Sequence, residues 1–119
     1  MPNRQTLGRA GEELALKFLT AQGWRLLAQR FRSRYGELDL VGVEGDELVF
    51  VEVKTRATAR CGTPEEALTE EKRRRLWKTA ARFVGGQAPT RLRFDLVAVR
   101  VGAGEVAIRR YRNVWGRWS

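Results

Sequence analysis

Histidine is absent from all 119 residues, and that one absence removes several mechanisms. No Ser-His-Asp hydrolase, Cys-His protease, imidazole general base or Cys/His zinc site can be assembled from this chain. Cysteine is nearly absent as well. Cys61 stands alone and forms no intramolecular disulfide, which agrees with a reducing compartment and leaves it a role in loop packing. No apolar run approaches the roughly 20 residues of a spanning helix. There is also no terminal cationic amphipathic helix with aromatic anchors for a membrane surface, and the opening MPNRQTLGRAGEE has no apolar stretch of the secretory type. A cytoplasmic protein without a membrane role is expected. Chemistry is left to carboxylates, Lys, Arg, Tyr, hydroxyls and hard metals.

What is abundant is positive charge: 23 Lys and Arg against 14 Asp and Glu, a formal net charge of +9. Such a balance favours a polyanionic partner, with nucleic acid, and DNA in particular, as the first expectation. A chain of 119 residues with 43% apolar content fits one compact domain over 1–119, and no repeat or low-complexity segment interrupts it.

Leu7, Gly11, Leu14, Ala15 and Phe18 recur at helical spacing, which predicts a helix from Thr6 to about Gln22 that stops at Gly23. Strands are expected over 24–31, 37–43 and 48–56, with a basic turn at 32–35. After a loop, Thr63, Pro64 and Glu66 supply the cap, first position and capping-box acid of a second helix that runs to about Val84, with a restart at Thr69. Its apolar stripe is Leu76, Ala80, Phe83 and Val84, and Gly85-Gly86 ends it. A turn containing Pro89 leads to strands over 92–101 and 105–112, joined by Gly102 to Gly104. The order α-β-β-β-α-β-β reads as an α/β fold, a mixed sheet with helices packed on it.

The stretch GELDLVGVEGDELVFVEVKTR carries the chemistry. If Gly45-Asp46 is a two-residue turn, Asp39 lies directly opposite Glu52 and Glu37 opposite Lys54. The same register places Leu38, Leu40, Gly42, Val49, Val51 and Val53 on one apolar face. Opposed side chains have Cβ atoms about 4.5–5.5 Å apart, where two like charges destabilise a sheet. A shared proton or a divalent cation would offset that repulsion. Oxygen ligands without Cys or His suit Mg²⁺, with Mn²⁺ as the substitute. Two acids, a cation and Lys54 on a basic protein point to phosphodiester hydrolysis, with Lys54 positioning water or stabilising developing charge. The plainer alternative is a solvated hairpin face with Glu37 and Lys54 as a cross-strand ion pair.

An acid one strand ahead of EVK resembles the PD-(D/E)XK signature of restriction-endonuclease-like nucleases, although Leu38 stands where the signature has its proline. GRAGEELA, YGELDLV, FVEVKTR and RFDLVAV, in that order and spacing, resemble the YraN-like family of small uncharacterised bacterial proteins, over nearly the whole chain. The resemblance implies a restriction-endonuclease-like αβββαβ core. It also implies Asp39 and Glu52 as metal ligands, Lys54 as the catalytic lysine, and Glu13 as the acid that related Holliday-junction resolvases bring near the metal from the first helix. Read from spacing alone, Glu13 pairs equally well with Lys17. By the same analogy, a homodimer would place two sites on the two strands of a junction.

Arg32, Arg34 and Arg56 near the hairpin, with Lys72, Arg73, Arg74, Arg75 and Lys78 on the basic helix and Arg82 beyond them, are candidates for phosphate contact, against the alternative of a solvated charged face. Asp95 alternates with Arg93 and reads as a surface or structural carboxylate. Tyr111, Trp115 and Trp118 either stack bases or fill a core or dimer contact. The leading expectation is a Mg²⁺-dependent endonuclease of structured or branched DNA. Its alternatives are an inactive nucleic-acid-binding or scaffold protein of the same fold, and an RNA-processing nuclease.

Overall fold

Asn3 caps the first helix. Its Oδ1 accepts the Thr6 N–H at 2.8 Å, so α1 (Arg4–Ala21) starts ahead of the expected Thr6; a polar cap carries no apolar signal. Gly23 takes φ +95 and ends the turn that follows. Three strands come next, β1 (Arg25–Ser33), β2 (Gly36–Glu44) and β3 (Glu47–Arg56). They are followed by α2 (Pro64–Ala67), α3 (Glu70–Val84), β4 (Leu92–Gly102) and β5 (Glu105–Tyr111). The structure is a computed structural model that describes residues 3–57, 64–86, 91–102 and 104–115. Cys61, the Thr63 cap, the Pro89 turn, Ala103 and Trp118 lie outside the described residues. The restart at Thr69 is observed, with its hydroxyl accepting the Lys72 N–H at 3.2 Å.

The sheet follows chain order, β1-β2-β3-β4-β5. Only β3 and β4 are parallel, joined through the helices, and the other pairs are antiparallel. This is a mixed α/β fold, and its αβββαβ order is compatible with the nuclease-like core expected. Successive residues of β3 point to opposite faces. Val49 and Val51 pack with Ala15 and Leu19 of α1, whereas Phe50 packs with Leu76, Trp77 and Ala80 of α3. Trp115 packs tilted against Phe94 with ring centroids 4.8 Å apart, so it fills the core on the α3 side.

Two glycines make close approaches rather than turns. A Cβ at Gly42 would collide with the Trp24 ring, and one at Gly11 with the Thr55 side chain, so α1 sits directly on β3. That second contact forms one wall of the site.

The hairpin register is the expected one from Glu44–Glu47 to Leu40–Val51, and there the β2–β3 ladder ends. Asp39–Glu52, Leu38–Val53 and Glu37–Lys54 are therefore not ladder pairs. The other side of β2 is irregular at the same place. Its ladder with β1 runs through Gln29–Leu40 and Phe31–Leu38 but is interrupted between them, where Arg30 adopts φ +49 opposite Asp39. Across this irregularity Leu38 joins the α3-side cluster while Leu40 joins the α1 side. The register is the same on both sides of this break, and its one shift lies between Leu26 and Ala28; the single apolar face expected for Leu38 and Leu40 is corrected, since they join opposite clusters.

Candidate active site

A cleft of about 560 Å³ opens where the N-terminal half of α1 meets the open end of the hairpin. Leu7, Gly8 and Glu12 line it from α1, Asp39 from β2, and the run from Glu52 to Ala57 from β3. Asp39, Glu52 and Lys54 thus share one cavity without a ladder pairing between the acids. Beyond the end of the β2–β3 ladder, Asp39 Oδ2 accepts the Val53 N–H at 2.8 Å in place of a backbone acceptor.

Burial first and the Glu52 charge second push the Asp39 carboxyl up from an ordinary 3.8 to about 8, against the lowering effect of the Val53 hydrogen bond; Glu12 and Glu37 push the same way. Near neutral pH Asp39 therefore holds a proton beside Glu52. Lys54 is lowered by burial, then by the charges of Lys72 and Arg56, while Glu52 and Asp39 oppose the shift. Glu52 has a counter-ion from outside the hairpin, with Lys72 Nζ at 2.9 Å.

The acid that α1 brings to the cleft is Glu12, whereas Glu13, expected there, is exposed and lies outside the lining. Adjacent helical residues differ by about 100° in direction, so one step separates a wall residue from a solvated one. Glu12 Oε1 is 3.4 Å from Arg30 Nε, near enough to attract yet too poorly aligned for a hydrogen bond. Arg30, in the left-handed region beside Asp39, is a position that sequence reasoning missed.

A divalent cation fits the chemistry of this donor set, since burial and the Glu52 charge both disfavour ionised Asp39 and a cation would offset them. Among the described residues no three acids converge as a ligand set. Asp39 and Glu52 would thus hold an ion whose remaining positions go to water and phosphate oxygens, as Mg²⁺ prefers.

The basic candidates divide. Arg56 lines the cleft. Lys72 is engaged by Glu52, and Arg73 stands 3.9 Å from Glu70. Arg32 is bound to Glu37 at 2.6 Å, so Glu37 pairs with Arg32 and not with the expected Lys54. Arg74, Arg75 and Lys78 are exposed on α3, and Arg34 at the β1–β2 turn contacts Tyr35.

Residues 11–99 match the family described as Uncharacterised protein family UPF0102. The chain belongs to this family. It is 46% identical over 112 residues to the UPF0102 protein of Symbiobacterium thermophilum, covering 92% of this chain and 95% of that one. To the UPF0102 protein of Rhodococcus jostii it is 45% identical over 106 residues, covering 87% and 90%. To that of Caldicellulosiruptor saccharolyticus it is 43% identical over 99 residues, covering 82% and 84%. No helix among the described residues of this UPF0102 chain is long and apolar enough to cross a membrane.

Three other acids of the UPF0102 sheet, Glu44, Glu47 and Asp95, gather around Arg93 and Arg110. Arg93 donates to Glu47 at 2.7 Å, to Asp95 at 3.0 Å and to Glu44. Arg110 joins Asp95 at 2.9 Å to Glu44 at 3.0 Å, and the Asn113 N–H closes on Asp95 at 2.9 Å. Asp95 is completely buried and structural. Burial works against ionisation of Glu44, but hydrogen bonds from Arg110, Arg93 and Arg112 outweigh it and hold the carboxyl at about 2.

Proposed function

We propose that this UPF0102 protein is a divalent-metal-dependent nuclease of the PD-(D/E)XK type, related to the YraN-like proteins, that hydrolyses phosphodiester bonds of structured DNA. The observation that carries the reading is the under-neutralised acid pair Asp39 and Glu52 sharing a cleft with Lys54 on a chain of net charge +9. Asp39 and Glu52 would hold the cation, which when bound supplies Lewis-acid activation of water and of a phosphoryl oxygen. Lys54 brings a positive charge from the same strand toward the charge that develops on phosphorus-bound oxygens. Arg56 at the rim, with the exposed cations of α3, attracts the phosphate backbone. Contacts of this kind read shape and backbone rather than a long base sequence.

One observation favours a second reading, a binding or scaffold protein without turnover: Lys72 already gives Glu52 a counter-ion at 2.9 Å. Calorimetric titration of Mg²⁺ and Mn²⁺ into wild type and Asp39→Asn, with cleavage assays on branched, single-stranded and duplex DNA, separates the two. The nuclease predicts metal binding with proton release. It also predicts metal-dependent cleavage, and in Asp39→Asn the loss of both with DNA binding retained. No metal binding by wild type, even with DNA present, would sink it in favour of the second reading.

A further inference from the structure

Where the β1–β2 turn meets α3, cations gather without an acid among them. Arg34 and Lys78 lie over the Tyr35 ring, 5.0 and 5.1 Å from its centroid, and Arg34 donates to the phenol oxygen at 2.8 Å. The phenol is lowered from its ordinary value by that hydrogen bond first and the Arg34 charge second, and Arg82, one turn beyond Lys78, adds to the same field. Among the described residues none of these three cations has a carboxylate ion pair, in contrast to Arg32, Lys72 and Arg73.

The cluster is also held in place. Ser33 Oγ and Thr79 Oγ1 share a hydrogen bond of 2.9 Å, and the Tyr35 N–H is donated to Ser33 Oγ at 3.0 Å, so the turn is tied to the helix. Like charges fixed this close repel one another. The negative face of the ring offsets part of that repulsion, and an anion would offset the rest. With cations over its ring, Tyr35 organises charge here and does not offer a face for base stacking.

We propose that Arg34, Lys78 and Arg82, organised around Tyr35, form a second phosphate site that grips a nucleic-acid backbone away from the cleft. The proposal rests on the nucleic-acid part of the reading above and not on hydrolysis. Tyr35 stands in the turn just ahead of β2 and Asp39 four residues on inside that strand, a span of about 13 Å at ~3.3 Å per extended residue. Phosphates of one DNA strand advance about 3.4 Å each along the axis, so the two sites would engage phosphates about four apart. The ligand is therefore an oligonucleotide backbone, not a mononucleotide.

The test is binding of a short labelled DNA duplex in EDTA, read by fluorescence anisotropy across a salt series. Arg34→Ala/Lys78→Ala is compared with Arg25→Ala/Arg91→Ala, which removes the same charge at the opposite end of the sheet. The site variant is expected to bind about tenfold more weakly and to lose about one phosphate contact from the salt slope, with the control nearly unchanged. Tyr35→Leu, at constant net charge, should weaken binding in the same direction. Equal loss in both double variants would mean net charge alone and overturn the proposal, as would no loss in either. A site variant that loses binding to phosphatidylserine vesicles but keeps DNA would overturn it in favour of a membrane surface. Asp39→Asn in the same assay keeps the two readings apart, because retained binding there is expected whether or not the protein cleaves.

Discussion

One hairpin carries two confrontations of acids, and the chain treats them in opposite ways. Beside the turn, Glu44 faces Glu47 across the ladder, and Arg93 binds both. At the open end, Asp39 and Glu52 share a cleft, and the cation that reaches them, Lys72, binds only Glu52. The chemical starting point is the same repulsion. The outcomes are a Glu44 held at about 2 and an Asp39 raised to about 8. A guanidinium locked in place quenches an acid pair for good, while a pair left to share a proton stays responsive to whatever positive charge arrives. Burial raises both carboxyls; the arginines around Glu44 more than reverse that effect, whereas the Val53 hydrogen bond to Asp39 does not.

Breaking the quenched cluster should have the largest effect. Arg93→Ala leaves Asp95, Glu44 and Glu47 without their shared donor, and removing one partner of a buried ionic network costs about 3–5 kcal/mol. Urea unfolding should register that loss. Next comes Asp39→Asn, which should stabilise the protein at alkaline pH. Below pH 3.8 both folded and unfolded chains hold the proton, and the contribution of Asp39 is complete. As pH rises toward about 8 the unfolded chain gives the proton up first, so stability falls through that window. Asn removes the titration and still accepts the Val53 N–H; a gain of about 1–3 kcal/mol at pH 8 and a flatter pH profile are expected. An unchanged profile would show that Asp39 titrates normally. The smallest effect belongs to Lys72→Met, about 1 kcal/mol or less for a partly exposed pair. That deficit should shrink on adding Mg²⁺ or Mn²⁺, because a cation bound at Asp39 and Glu52 stabilises the fold by linkage. No such recovery would count against the cation site.

Much of this contrast was legible in local pattern. Turn chemistry at Gly45-Asp46 gave the register from Glu44 to Leu40, Thr69 gave the helix restart, and alternation along β3 gave the two packed faces. Features set by distant strands were not legible. The break at Asp39 coincides with the left-handed backbone of Arg30 in the neighbouring strand, and no local period of β2 records it. Glu12 and Glu13 differ by one step on a helix whose orientation is fixed by the Gly11–Thr55 contact. Gly8, Gly11 and Ala15 form the small-residue line that marks that face, with Glu12 beside it. Arg93, Arg110 and Glu44 are far apart in the chain, so their convergence follows only from strand order.

Strand order also bears on how the chain assembles. Every pairing in the sheet joins consecutive strands, so β1, β2 and β3 can close as a meander with short loops and little chain entropy lost. The acids at the open end of the hairpin then come together before Lys72 arrives on α3. Until Lys72 docks, that encounter carries the repulsion of two carboxylates with no counter-ion from α3.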